Sequence, residues 1–319
     1  MMNALVFDSS LEFRSVDTPE RTGNEALIRV ITAGICATDL EITRGYMEFQ
    51  GIPGHEFVGY VEASDIPGLT GKRVVGEINA GCGSCKYCAS GDPRHCPDRT
   101  VLGIFKRDGA FAEYLTLPDA NLLVVPDSVP NRAAVFVEPL AAALTVFDEH
   151  DLPRESPVAV IGDGKLGQLI ARAAQARDYI PHLFGKNESK LRLAAQQGIR
   201  TCSSTTVPER RYRTVIECSG KQSGLQKALE IIEPKGTVIM KSTFAGKSEI
   251  NFADVVINET SLIGSRCGRF ESAVEMLEKK AIDVESLISA EFTLDQGIEA
   301  FQYAEKPGVL KVLLRIGPE

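Results

Sequence analysis

The chain has 319 residues, of which 44% are hydrophobic and 24% charged, with a formal net charge of -8. That length suits two cores better than one, and that balance of apolar and charged residues excludes wholesale disorder. An acidic surplus with no long basic run argues against nucleic acid or an anionic membrane as partner, so a small molecule is the expected ligand.

The chain opens on Met1-Met2-Asn3-Ala4 with neither a basic stretch nor a sustained apolar run, and no later segment approaches the ~20 apolar residues that span a bilayer. The expected compartment is the cytoplasm. Residues 1–130 read as short β-rich runs, such as 25–30 and 58–61, broken by Gly and Pro. A small irregular β domain is therefore expected over 1–135. From Asn131 an apolar helical stretch passes through Ala141-Ala142-Ala143, after which strand and helix patterns alternate. Strands are predicted to begin near Val158, Pro181, Arg200, Thr214, Thr237 and Leu262. Six such strands predict an α/β fold with a doubly wound parallel sheet over 136–268. The tail, 269–319, holds helical patterns at 271–280 and 294–304 and a strand at 309–314. It is expected to return to the first domain.

Four of the eight cysteines, Cys82, Cys85, Cys88 and Cys96, fall within fifteen positions. Three thiols at a three-residue repeat and a fourth returning from a short loop can wrap one tetrahedral ion. Four thiolates close the shell of zinc and leave no place for substrate, so the lobe at 80–98 reads as a structural zinc site. His95 is expected on its surface.

Cys36, Thr38 and Asp39 follow a predicted strand, and His55-Glu56 opens the next one after Gly54. Thiolate, imidazole and carboxylate are thereby brought within reach of one another. Glu138 stands in the apolar stretch 133–146, where an unpaired charge would cost several kcal/mol; a metal would resolve that cost, as would a helix N-terminus. Downstream, Gly162-Asp163-Gly164-Lys165-Leu166-Gly167 lies between a short apolar strand and a helical pattern. In that setting the glycines permit a tight turn and close approach to a pyrophosphate, and the helix N-terminus supplies donors to it.

Taken in this order, Cys36 with Thr38-Asp39, Gly54-His55-Glu56, the four-cysteine lobe and the glycine fingerprint resemble the zinc-containing medium-chain alcohol dehydrogenases over essentially the whole chain. The resemblance implies a GroES-like catalytic domain ahead of a Rossmann domain, with one catalytic and one structural zinc. It implies that Cys36 and His55 bind the catalytic ion, that Glu56 binds it directly or swings in, that Thr38 relays the substrate proton and that Asp39 orients His55. Where the best-known alcohol dehydrogenases have a second cysteine, this chain has Glu138, in a context similar to the polyol, sugar and threonine dehydrogenase branch. Whether Glu138 touches zinc or holds its water stays open.

An NAD-binding unit places an acid about 20 residues beyond the fingerprint, but this chain has Phe184-Gly185-Lys186-Asn187. Gly185 leaves room for a 2'-phosphate that Lys186 could neutralise, which favours NADP over NAD; the opposing possibility is that Lys186 is solvated and Glu188 reaches the ribose. Tyr46, Phe49, Phe105 and Arg266 are expected near substrate or cofactor. The predicted function is hydride transfer between NAD(P) and an alcohol, polyol, sugar or amino alcohol by a homodimer or homotetramer. The alternatives are a metal-free NADPH quinone or enoyl reductase and a non-catalytic NADPH-binding protein.

Overall fold

The computed structural model describes residues 1–206, 211–243 and 248–318. The chain folds as two units, one of Met1–Glu138, Phe270–Lys280 and Val284–Glu319, the other of Pro139–Arg269 and Ala281–Asp283.

The first unit is organised by the strand Glu25–Ile35, which alternates buried and half-buried residues at its start and is wholly buried from Val30 onward. Half-burial suits a sheet with one wet face; continuous burial means both faces are covered. Glu25–Ile35 runs antiparallel to Glu56–Ala63, Tyr114–Pro118 and Lys311–Arg315. The sheet continues through Arg73–Gly76 to Leu122–Val124 on one side and ends at Ile288–Thr293 on the other. Its register sets Gly34 opposite both Glu56 and Leu313. A Cβ at position 34 would lie 2.7 Å from Glu56 Oε2 and 3.0 Å from Lys311 Nζ. The absent side chain is thus what lets these two charged groups pack against the strand. The tail's strand, drawn into the middle of this sheet, delivers Lys311 there.

In the second unit six strands form one parallel sheet in the order Arg200–Ser203, Pro181–Gly185, Val158–Ile161, Tyr212–Glu217, Ile232–Met240, Ser261–Gly264. Numbered along the chain this is 3-2-1-4-5-6, the doubly wound dinucleotide order. The fifth strand starts earlier than the predicted Thr237, because Ile232 already pairs with Tyr212 ahead of a register irregularity. Val158–Ile161 is buried throughout, as a central strand covered on both faces must be. Ala159, Phe184, Tyr212, Val215, Ala228 and Val238 pack together at the sheet's core. Among the described residues no helix is long and apolar enough to cross a membrane.

Candidate metal and dinucleotide sites

Strand Glu25–Ile35 ends at Cys36, the N-cap of the short helix Ala37–Ile42. Asp39 in its first turn folds back: Oδ2 accepts the Cys36 N–H at 2.7 Å, while Oδ1 lies 3.1 Å from His55 Nδ1. His55 is brought there by Gly54, whose φ of 100° suits glycine. A Cβ at that position would stand 2.6 Å from the Phe111 ring, so space as well as conformation demands glycine. One donor atom from each of Cys36, His55 and Glu56 then lies within 4.8 Å of the others. With Nδ1 turned to Asp39, Nε2 is the nitrogen left for a cation, the arrangement a carboxylate imposes on a ligating histidine.

Charge accumulates here, much of it on side chains that solvent does not reach. Asp39, Glu56 and Lys311 are each 0% exposed. Burial works against charge on His55, but the Asp39 carboxylate, by charge and hydrogen bond, and the Cys36 sulfur hold its imidazolium well above the ordinary value. The Glu56 Oε2 atom is ion-paired with the Lys311 ammonium, which also lies 5.3 Å from the centroid of the Phe136 ring. Burial draws Lys311 down to about 8, against the opposing pull of Cys36 and Asp39. Thiolate, imidazole and carboxylate converging with a position to spare is a donor set that fits a catalytic zinc. The Cys36 Sγ donates to Thr38 Oγ1 at 3.9 Å. Glu138 lies in the first turn of Val137–Asp148 and is not one of the three residues whose donor atoms converge. Phe49, expected as a pocket liner, instead packs in a buried cluster with Phe7 and Ile42, with Tyr46 against it.

In the lobe the sulfurs of Cys82, Cys85, Cys88 and Cys96 all lie within 4.8 Å of one another, with Cys85 and Cys88 at 3.6 Å. A tetrahedron of ~2.3 Å zinc–sulfur bonds has edges of about 3.8 Å, so the set fits that ion. The Ser84 backbone N–H, then its hydroxyl, draw the Cys82 thiol down to about 6, a thiolate at neutral pH. Desolvation and the neighbouring sulfurs push Cys88 up to about 11, the mutual repulsion that a cation relieves. His95 stays on the surface with its side chain 58% exposed. No disulfide joins any of the eight cysteines, all of which are among the described residues.

In the second unit Val158–Ile161 turns at Gly162, with φ 122°, into the helix Lys165–Ala176. A Cβ on Gly167 would overlap the Gly162 carbonyl, so the helix can start this close to the turn only with glycine there. A cavity of about 620 Å³ opens beside the loop, lined by Gly162, Asp163 and Gly164 and by Gly185, Lys186 and Lys190. Lys165, Leu166 and Gly167 begin the helix and do not line it, and neither does Arg266, whose carbonyl accepts the Lys241 ammonium. Asp163 Oδ2 accepts the backbone N–H groups of Lys186 and Asn187, each at 2.7 Å, and a Cβ on Gly185 would run into that carboxylate. The acid expected at the end of the second strand is thus matched by one reaching across from the glycine turn. Ser204, Thr205, Ser219 and Lys221 also line the cavity; they sit on loops after other strands, with no local pattern to single them out. Lys311 does carry a signal in the sequence, a charge inside the apolar run from Val309 to Leu314.

A model of the alcohol dehydrogenase GroES-like domain matches residues 22–127, and one of the zinc-binding dehydrogenases matches 166–281. The chain is 30% identical over 333 residues to L-threonine 3-dehydrogenase of Chelativorans sp. (strain BNC1), covering 94% of this chain and 95% of that one. It is 28% identical over 329 residues to sorbitol dehydrogenase of Halalkalibacterium halodurans, covering 95% of each. Among solved structures, a Sinorhizobium meliloti 1021 protein bound to NADP superposes with a TM-score of 0.89 at 27% identity, covering 99% of both chains. The fold of RspB from Escherichia coli CFT073, complexed with NADH, gives 0.91 at 24% identity, covering 98% of this chain and 99% of that one.

Proposed function

Because this chain belongs to the zinc-containing medium-chain alcohol dehydrogenase family, and is therefore a zinc-dependent, nicotinamide-linked oxidoreductase acting on CH–OH groups, we propose that Cys36, His55 and Glu56 hold its catalytic ion. The observation that carries this assignment is the convergence of those three donors with Asp39 behind His55. When bound, the zinc supplies a Lewis acid that eases loss of a proton from a substrate hydroxyl near neutral pH, and the dinucleotide accepts the hydride. Thr38 Oγ1 takes up that proton and passes it toward solvent. Asp39 fixes the ring tautomer so that His55 presents Nε2, and Glu138 steadies water near the ion or joins its shell. A second ion held by Cys82, Cys85, Cys88 and Cys96 pins the lobe. The glycine turn 162–167 and the helix start beyond it hold the pyrophosphate.

The substrate is a small alcohol of polyol, sugar or amino-alcohol type, in line with the sorbitol and threonine dehydrogenases that the chain resembles. NADP is the preferred cofactor: Gly185 adds no side chain, and Lys186 and Lys190 stand at the same cavity. A second reading, NAD, rests on the Asp163 carboxylate at Gly185, which would repel a 2'-phosphate. The protein works as a homodimer or homotetramer, supported by Phe252, Val256 and Ile257, which are 67%, 72% and 78% exposed in the helix that precedes the edge strand Ser261–Gly264 in the chain. Its compartment is the cytoplasm, where the lobe's thiols stay reduced.

One experiment tests the assignment. Purified protein is assayed for zinc and then for turnover on a panel of polyols, sugars and amino alcohols with NAD and NADP side by side, next to Cys36→Ser. Expected are two zinc ions per wild-type chain, one in Cys36→Ser, and a fall of about 10³-fold or more in turnover. Wild-type turnover in a Cys36→Ser protein with its lobe ion intact would refute the assignment.

A further inference from the structure

Resting on that reading of Cys36, His55 and Glu56 as ligands, we propose that Lys311 is a positioning residue that shares Glu56 with the catalytic cation and so sets the net charge at the metal. Leaving Glu138 outside the count, since its carboxylate is not among the converging donors, the Cys36 thiolate, Glu56 and Asp39 supply three negative charges. A divalent cation supplies two positive ones. The third comes from Lys311, which is wholly buried and ion-paired to Glu56 Oε2. Leaving a buried carboxylate uncompensated is costly, so an ammonium delivered to this point by the Lys311–Arg315 strand has a defined electrostatic task. The pair has little freedom to wander, since the Gly34 backbone lies against both groups and the Phe136 ring beneath the ammonium.

The sharing has a direction. A divalent ion bound by thiolate and carboxylate together has its charge cancelled and polarises a hydroxyl weakly. With Glu56 held by Lys311, the same ion keeps a net positive charge and polarises it strongly. Removing the ammonium therefore hands Glu56 to the metal. The ion is then held more tightly and works less well. General damage to the site would lower metal retention and turnover together, so the opposite signs separate the two explanations.

The test compares wild type with Lys311→Met, Lys311→Arg and the double variant Glu56→Gln/Lys311→Met, each as holoprotein. A chromogenic chelator reads zinc release from the open site, and the ligand-field bands of protein loaded with cobalt(II) read its coordination. Expected for Lys311→Met is release about tenfold slower, the scale of changes made just behind a metal's ligands, with altered cobalt bands and lower kcat. Lys311→Arg stays close to wild type, and the double variant loses the slow release. If Lys311→Met fails to fold, Lys311→Gln carries the comparison: release slower than wild type supports the sharing, and wild-type release with unchanged cobalt bands refutes it. Wild-type release and unchanged bands in folded Lys311→Met overturn this inference alone. A wild-type protein holding zinc only in its lobe overturns the functional reading and this inference with it.

Discussion

The lobe gathers its four sulfurs from fifteen consecutive positions and leaves three of the four cysteines at least partly in contact with water, whereas Cys36, His55 and Glu56 lie where two strands meet and are backed by Asp39 and by Lys311, 255 positions beyond Glu56. Four thiolates around zinc leave two surplus negative charges, which solvent at the lobe can stabilise. At the open site Asp39, Glu56 and Lys311 are out of reach of solvent, so the charge of the two carboxylates must be matched by the fold. A closed shell can be almost self-sufficient. An incomplete shell that must take a substrate depends on distant parts of the chain for its orientation and its charge.

The sharpest way to break that comparison is to remove a lobe ligand. Cys96→Ser, at the one fully buried cysteine of the lobe, is expected to lose the lobe's zinc and to lower Tm by more than about 5 °C, given the large folding free energy carried by structural zinc. Metal analysis and thermal unfolding check it, and the open site should keep its ion. If both ions leave, the two sites are not independent. A smaller effect is expected from Asp39→Asn, which weakens the acceptor at His55 Nδ1: kcat/KM should fall by about 10–100-fold with lobe zinc unchanged. Steady-state kinetics with metal analysis reads this, and a loss under twofold would mean that the ring needs no carboxylate behind it.

The smallest effect belongs to the lobe's own support. In Ser84→Ala the backbone N–H, the larger influence on Cys82, remains and only the hydroxyl is lost. Cys82 has a lowered pKa, so its thiolate is present above about 6; raising that value makes protons compete with zinc at higher pH. The pH at which a chelator takes half the lobe's zinc should therefore rise, by less than about one unit. A chelator titration across pH checks it, and a fall would reverse the assigned role of Ser84.

The same contrast governs what the sequence makes legible. Cys82, Cys85, Cys88 and Cys96 can be read directly because their spacing is short-range, and so can the Gly162–Gly167 turn and His55-Glu56, which sit beside a strand mouth. Five of the six parallel strands begin within two residues of their predicted starts, since buried strands between glycine turns leave a strong local pattern. What stays hidden is contact across the chain. Counting forward from the fingerprint finds no acid at Gly185, because the carboxylate that stands there belongs to Asp163, inside the fingerprint itself. Phe49 has the look of a pocket aromatic in sequence, and only its packing against Phe7 and Ile42 shows it to be core. Lys311 is a charge in an apolar run just as Glu138 is, but no neighbouring motif points to its partner 255 positions away.

The late position of Lys311 also bears on how the protein is made. At about 5–20 residues per second, the 255 positions between Glu56 and Lys311 occupy a ribosome for roughly 13–50 s. For most of that interval the nascent chain carries all four lobe thiols, yet the strand Glu25–Ile35 lacks its Lys311–Arg315 neighbour and Glu56 has no ammonium beside it. On the proposed roles of the two sites, the lobe can load its ion during translation, whereas the ammonium that pairs with Glu56 arrives only when Lys311–Arg315 docks on Glu25–Ile35.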